Sequence, residues 1–79
     1  MLVEVRVFAT LRRYLPELGI GEAKTVDVAP GTTFEKLEEI LGLPKREVKV
    51  IMRNGLHVAP DDILEDGDRI AFFPPIAGG

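Results

Sequence analysis

The sequence predicts an α+β domain in which one helix packs across a mixed sheet of about five strands. Three observations lead to this prediction. Several short segments alternate apolar and polar residues, which is typical of strands with one buried face. One longer segment places apolar residues at helical spacing. Turn-forming residues separate these segments, and the resulting order is strand, strand, helix, strand, short strand, strand.

The first part of the chain predicts a strand followed by a short helical segment. Residues 2–8 alternate, with three valines on one face and Phe8 on the other. Residues 9–15 are helix-forming types, and Pro16 disfavours helix at the residue before it. Residues 17–22 contain two glycines and are predicted to form a loop.

The middle of the chain predicts a second strand and the main helix. Residues 24–29 alternate and end at Pro30-Gly31. In residues 32–42 a threonine N-cap three residues before Glu35 resembles a capping box, and Gly42 stands where a left-handed C-cap belongs. The apolar side of this helix, which is predicted to cover the sheet, consists of Phe34, Leu37, Ile40 and Leu41. The opposite, solvated side consists of Glu35, Lys36, Glu38 and Glu39.

The last part of the chain predicts a hairpin and a final strand. Residues 48–53 form the third predicted strand. Asn54-Gly55 is a strong signal for a two-residue hairpin turn, which leads into the short run 56–58. Asp66-Gly67-Asp68 marks another turn, and residues 69–73 form the last strand.

The composition excludes several classes of function. The chain has 79 residues, enough for one thin core but not for an enclosed substrate cavity. Its net charge of −3 disfavours direct binding to nucleic acid. The lack of Cys and Ser and the single His exclude disulfides, thiolate and serine nucleophiles, and multi-histidine metal sites. No signal-peptide pattern or long apolar run is present, so we expect a cytoplasmic protein with no membrane partner.

The residues after the last strand predict a stiff stalk with a slim end. Proline cannot donate to a strand ladder, and paired prolines hold the chain extended. Glycine adopts backbone angles forbidden to other residues and fits a narrow channel. Such a tail suits delivery of its terminal carboxylate to the α-phosphate of a nucleotide in a partner enzyme, and the alternative is a frayed terminus. The tail consists of Pro74, Pro75, Ile76, Ala77, Gly78 and Gly79.

Parts of the sequence resemble a known family. Residues 66–79, DGDRIAFFPPIAGG, closely resemble the C-terminal signature of the MoaD family, the small sulfur carriers of molybdopterin synthase. Residues 5–12, VRVFATLR, resemble that family's first strand and turn, and Asn54-Gly55 resembles its mid-chain hairpin. The resemblance implies a β-grasp, ubiquitin-like fold. It also implies a single MoaD/ThiS-like domain over residues 1–79, with residues 74–79 as a flexible tail.

The resemblance further implies a mechanism and partners. An E1-like activating enzyme of the MoeB/ThiF type would use ATP to adenylate Gly79. A sulfur donor would then replace AMP and leave a thiocarboxylate. The carrier, bound to a MoaE-like large subunit as the small subunit of molybdopterin synthase, would deliver sulfur to a pterin precursor. The chain itself would be a carrier subunit rather than an enzyme, with no catalytic residue, no metal and no stably bound cofactor.

Strand parity predicts a partner-binding patch at the root of the tail. If the valines of the first strand face the helix, Phe8 faces away from it, and by the same reasoning Phe73 also faces away. The same parity predicts that Ile51, Arg53 and His57 face outward. An exposed apolar patch suggests a protein interface, and the MoaD resemblance implies docking of MoeB and MoaE there. The alternative is that one aromatic ring packs under a loop.

The sequence leaves the recipient of the sulfur open. ThiS, the carrier of thiamine synthesis, also ends in Gly-Gly but typically lacks Phe-Phe-Pro-Pro. A carrier for tRNA thiolation and a ubiquitin-like modifier attached to lysines are further alternatives. Molybdenum and tungsten would use the same pterin. A passive β-grasp interaction module with an unmodified tail is the alternative of a different class.

Overall fold

The computed structural model describes residues 1–75 and has the predicted α+β architecture. Its strands are β1 (Leu2–Val7), β2 (Lys24–Asp27), β3 (Val50–Arg53), β4 (Leu56–His57) and β5 (Arg69–Phe73). The helix α1 spans Phe34–Leu41, and 3₁₀ helices span Ala9–Tyr14 and Lys45–Glu47. The first 3₁₀ helix lies in the predicted helical turns, whereas the second was not predicted.

The sheet has the order β2-β1-β5-β3-β4. Strands β1 and β5 are parallel, and the other neighbouring pairs are antiparallel. A parallel pair needs a long crossover connection, and the chain between β1 and β5 contains α1. In this order β5 is the central strand, between β1 and β3. The tail therefore begins at the end of the central strand.

The core lies between α1 and one face of the sheet, here called the inner face. The three valines of β1 are buried there as predicted, and Phe34 and Phe72 are fully buried. Full burial of one large apolar side chain contributes about 1.5–3 kcal/mol. The buried apolar cluster consists of Val3, Val5, Val7, Leu11, Leu15, Val28, Phe34, Leu37, Leu41, Leu43, Ile51, Leu64, Ile70 and Phe72.

The helix α1 is rotated relative to the prediction. Ile40 was predicted to face the sheet but is 52% exposed, whereas Glu38 was predicted to face solvent but is only 3% exposed. The buried positions follow the spacing i, i+3, i+4 and i+7 from Phe34, which includes Glu38 and leaves Ile40 on the outer side. The carboxylate of Glu38 is therefore buried, and the predicted orientation of both residues is wrong.

Both ends of α1 are capped, one of them differently from the prediction. The N-cap is Thr33, whose Oγ1 accepts a hydrogen bond from the Lys36 backbone N–H at 3.1 Å. The capping box that places Glu35 three residues after the cap is therefore not formed, and Glu35 instead pairs with Lys45. Gly42 has a φ of 75° and forms the predicted left-handed C-cap. Within residues 1–75, no helix combines the length and apolarity needed to cross a membrane.

Candidate functional site

The end of β5 positions the root of the tail. The Phe8 backbone N–H donates to the Phe72 carbonyl at 3.2 Å, and the Lys49 N–H donates to the Phe73 carbonyl at 2.8 Å. Pro74 and Pro75, which follow, have no N–H to donate, so the ladder cannot continue through them. Neighbouring strands thus hold the chain on both sides up to Phe73.

A stacked pair of aromatic rings marks this position. The rings of Phe8 and Phe73 are parallel to within 5°, and their centroids are 4.7 Å apart. Both residues are half-buried and lie on the face opposite α1, here called the outer face. Stacked rings at such a distance contribute about 0.5–1.5 kcal/mol beyond the area that they bury. The predicted outward orientation of both rings is confirmed, and neither is in the core.

Other apolar side chains extend this surface across β5 and β3. In the antiparallel register Val50 lies opposite Phe73, and Met52 lies opposite Ala71. Since opposite residues share a face, Val50 and Met52 lie on the outer face, and both are half-buried. His57 lies opposite Met52 and is exposed, so its predicted outward position is confirmed.

The predicted outward position of Ile51 is wrong. Ile51 lies opposite Phe72, is only 5% exposed and belongs to the core. Arg53 lies two residues further along β3 and also faces inward, where its guanidinium lies 5.0 Å above the ring centre of Phe34. The predicted parity of β3 is wrong because Val50, Ile51 and Met52 are all apolar, and alternation alone does not distinguish their faces.

A signal for the correct parity was present in the sequence. A two-residue turn at Asn54-Gly55 pairs Arg53 with Leu56 and Met52 with His57, as observed. An outward His57 therefore requires an outward Met52 and an inward Ile51. The apolar outer-face residues, here called the outer patch, are Phe8, Val50, Met52, Ala71 and Phe73.

The tail itself is only partly described. Pro74 is half-buried and Pro75 is exposed. The predicted activation residues Ile76, Ala77 and Gly78 and the predicted carrier residue Gly79 lie outside the described residues. Within residues 1–75, no group of three His, Cys, Asp or Glu side chains is placed to hold a metal ion.

The acidic residues before β5 have structural roles. Asp62 Oδ2 accepts from the Ala59 N–H at 2.8 Å, and Asp66 Oδ1 accepts from the Leu2 N–H at 2.8 Å. Side-chain acceptors of this kind close turns and tie loops to strands. Asp66 thereby joins the turn before β5 to the start of β1.

Together, the mixed sheet with a single helix and a C-terminal strand in its centre define a ubiquitin-like β-grasp domain. The profile of the ThiS family matches residues 5–79, and the chain belongs to this family. The resemblance to the MoaD and ThiS proteins is thereby confirmed.

One relative supports the family assignment, and solved structures share the fold. The chain is 36% identical to small archaeal modifier protein 3 of Haloferax volcanii, in a 92-residue alignment that covers 100% of both chains. The crystal structure of H. volcanii small archaeal modifier protein 1 matches with a TM-score of 0.73 at 22% identity, over 95% of this chain and 98% of that one. A chain from the complex of subunits 1 and 2 of molybdopterin-converting factor from Helicobacter pylori 26695 matches with a TM-score of 0.63 at 26% identity, over 100% of both.

Proposed function

We propose that this chain is a ubiquitin-like sulfur carrier whose Gly79 carboxylate is adenylated and then converted to a thiocarboxylate. The observation that carries the proposal is the placement of a Pro-Pro-Ile-Ala-Gly-Gly ending directly after the central strand β5, beside the Phe8–Phe73 stack. The family match and the relative named as a modifier support it.

The chemistry follows from the poor reactivity of a carboxylate. A carboxylate oxygen of Gly79 attacks the α-phosphorus of ATP in an E1-like activating enzyme, and pyrophosphate leaves. A sulfur nucleophile from a donor then attacks the acyl carbon, and AMP leaves. Each step requires the reacting atoms at about 3–3.5 Å, which the partner enzyme must arrange. The chain supplies the reacting carboxylate and a docking surface, and the partners supply ATP and catalytic side chains.

The outer patch serves this chemistry as a docking surface. Aromatic and Met side chains are enriched at protein interfaces, and those of the outer patch lie where the chain leaves the sheet. A partner that covers Phe73 necessarily lies next to the start of the tail. Docking there places the start of the tail at the surface of the partner.

We propose molybdopterin biosynthesis as the destination of the sulfur. The DGDRIAFFPPIAGG ending resembles the MoaD signature, and a structural neighbour belongs to a complex of two molybdopterin-converting-factor subunits. The chain would then be the small subunit of molybdopterin synthase, bound to a MoaE-like large subunit. The name of the 36% identical relative favours a second candidate, a protein modifier joined through Gly79 to lysine side chains.

Intact-mass measurement tests the carrier function. The chain is incubated with the E1-like enzyme of the same genome, ATP and sodium sulfide. We expect the exchange of one terminal oxygen for sulfur, dependent on ATP and lost when Gly79 is deleted. A known carrier charged in parallel with its own activating enzyme is the control. An unchanged mass under those conditions would support the passive interaction module instead.

A second experiment identifies the recipient. The thiocarboxylated chain is mixed separately with the pterin precursor and the large synthase subunit, with the thiazole precursors, and with tRNA and its thiolation enzyme. Lysine conjugates are sought by mass spectrometry of a strain that expresses the chain. We expect sulfur transfer to the pterin. Exclusive formation of isopeptide-linked conjugates would establish the modifier function instead.

A further inference from the structure

The outer face carries a basic groove beside the outer patch. This groove has a volume of about 320 Å³ and crosses β5 at Ala71. Ala71 has a small side chain, so the groove stays open between Arg6 of β1 on one side and the Asn54-Gly55 turn on the other. The groove is lined by Arg6, Asn54, Gly55, Arg69, Ile70 and Ala71.

Hydrogen bonds hold both sides of the basic groove in place. Arg6 Nε donates to the Gly21 carbonyl at 3.0 Å, which anchors this side chain to the loop before β2. On the other side, the Asn54 N–H donates to the Arg69 carbonyl at 2.8 Å, and the Arg69 N–H donates to Asn54 Oδ1 at 2.9 Å. Asn54 and Gly55 have φ values of 49° and 84°, as a tight turn of this kind requires. The groove is therefore a built feature of the sheet.

The charge of the groove is opposite to that of the chain. The chain has a net charge of −3, yet two of the residues that line this one groove are arginines. Within residues 1–75, neither Arg6 nor Arg69 forms an ion pair. Glu4 lies opposite Arg69 in the register of β1 and β5. His57 is the exposed titratable residue of the neighbouring hairpin. The planar guanidinium of an arginine can donate two parallel hydrogen bonds to one carboxylate.

The basic groove is continuous with the outer patch. Arg69, Ala71 and Phe73 alternate along β5 and share its outer side, over about 13 Å at ~3.3 Å per residue. A standard protein interface covers about 800 Å² on each partner. A protein that covers Phe73 and receives the tail would therefore also cover the groove.

We propose that the basic groove binds a carboxylate side chain on an acidic segment of the activating enzyme. The inference rests on the proposed function, because it takes that enzyme as the first protein to hold the tail. The apolar outer patch supplies contact area, while Arg6 and Arg69 steer the acidic segment and set the register of β5 against the enzyme. Charge pairs of this kind chiefly raise the rate of association and depend on salt.

Association kinetics with the purified activating enzyme test this proposal. Arg69→Glu is the main variant, because within residues 1–75 Arg69 makes its hydrogen bonds to Asn54 through its backbone, which the substitution leaves in place. Lys36→Glu is the matched control, since it makes the same charge change at an exposed position of α1, away from the sheet. We expect Arg69→Glu to lower the association rate about tenfold at low ionic strength and to reduce the dependence of the rate on salt. The association rate of the Lys36→Glu control should remain close to that of the unmodified chain.

Two further measurements keep the outcomes distinguishable. Circular dichroism establishes whether each variant is folded. If the charge-reversal variant Arg69→Glu does not fold, the double variant Arg6→Gln with Arg69→Gln is measured in its place. If the unmodified chain binds and is charged with sulfur, but the arginine variants associate as fast as Lys36→Glu, the groove proposal is overturned and the proposed function stands. If the unmodified chain does not receive sulfur at all, the proposed function is wrong, and the groove proposal that rests on it falls with it.

Discussion

Asp68 and Arg53 form a buried ion pair that joins the end of β3 to the turn before β5. Arg53 Nε donates to Asp68 Oδ2 at 2.9 Å, with 21% and 4% of the two side chains exposed. The same Asp68 oxygen accepts from the Glu65 N–H at 2.8 Å. Arg53 also donates to the Ile63 carbonyl and covers the ring of Phe34. One pair thus connects the hairpin, the helix and the loop that leads into β5.

We expect Asp68→Asn to destabilise the domain by about 3 kcal/mol, because it leaves a largely buried guanidinium without its counter-charge. Urea unfolding followed by circular dichroism measures the change. Asp61→Asn, at an exposed position, is the control and should change stability by less than about 0.5 kcal/mol. Equal unfolding midpoints for the two variants would contradict the role assigned to the pair.

The buried carboxyl of Glu38 makes stability depend on pH. Its pKa is raised from 4.5 to about 7, chiefly by burial and also by the nearby Glu35 carboxylate, while Lys45 opposes the shift. Within residues 1–75 its Oε1 has no hydrogen-bond partner. The folded chain therefore binds more protons than the unfolded chain between these two pH values. The contribution of Glu38 to stability is full below pH 4.5, falls as the pH rises to about 7, and is constant above that.

Glu38→Gln should remove this dependence, because an amide does not ionise. We expect the variant to be more stable than the unmodified chain by about 2 kcal/mol near pH 8, and the advantage to disappear near pH 5. Urea unfolding at both pH values measures the difference. Glu39→Gln, at an exposed position of the same helix, is the matched control for the loss of one carboxylate. A constant difference between Glu38→Gln and the unmodified chain at both pH values would refute the assignment.

Phe73→Asp should weaken binding to the activating enzyme at least about tenfold while the domain stays folded, because a half-buried aromatic side chain is replaced by a charge at the proposed interface. Loss of the stack with Phe8 is expected to cost about 1 kcal/mol of stability. Isothermal titration with the enzyme measures the affinity. Leu56→Asp places the same charge at a residue that is 71% exposed and lies outside the outer patch, and it should bind normally. Unfolding of Phe73→Asp would show instead that Phe73 acts as a core residue.

Thr33→Ala should destabilise the domain by about 1 kcal/mol, since it removes the oxygen that caps the first turn of α1. Thr33→Ser retains this oxygen and is the matched control. Thermal unfolding compares the two. If Ser and Ala variants unfold at the same temperature, the cap contributes nothing, and packing of the eight-residue helix alone maintains it.

The sequence by itself determined the five strands, the main helix and the residues of the tail. The valines of β1 alternate strictly, Asn54-Gly55 permits the two positive φ angles of its turn, and Gly42 adopts the left-handed angle that ends α1. These features depend on a few adjacent residues, so local physics predicts them. The terminal Gly-Gly is likewise visible without a structure.

Only the tertiary structure decided which faces meet. In α1 the local pattern allows more than one orientation, and packing places Glu38 rather than Ile40 in the interior. In β3 the apolar run Val50-Ile51-Met52 is ambiguous by alternation, and the pairing across the Asn54-Gly55 turn places Ile51 rather than Met52 inside. The basic groove arises because the parallel pairing of β1 with β5 brings Arg6 beside the strand that carries Arg69. Such juxtapositions depend on the register between strands that are distant in sequence. Alternation with a period of two excludes a shift by one residue but leaves shifts by two residues open.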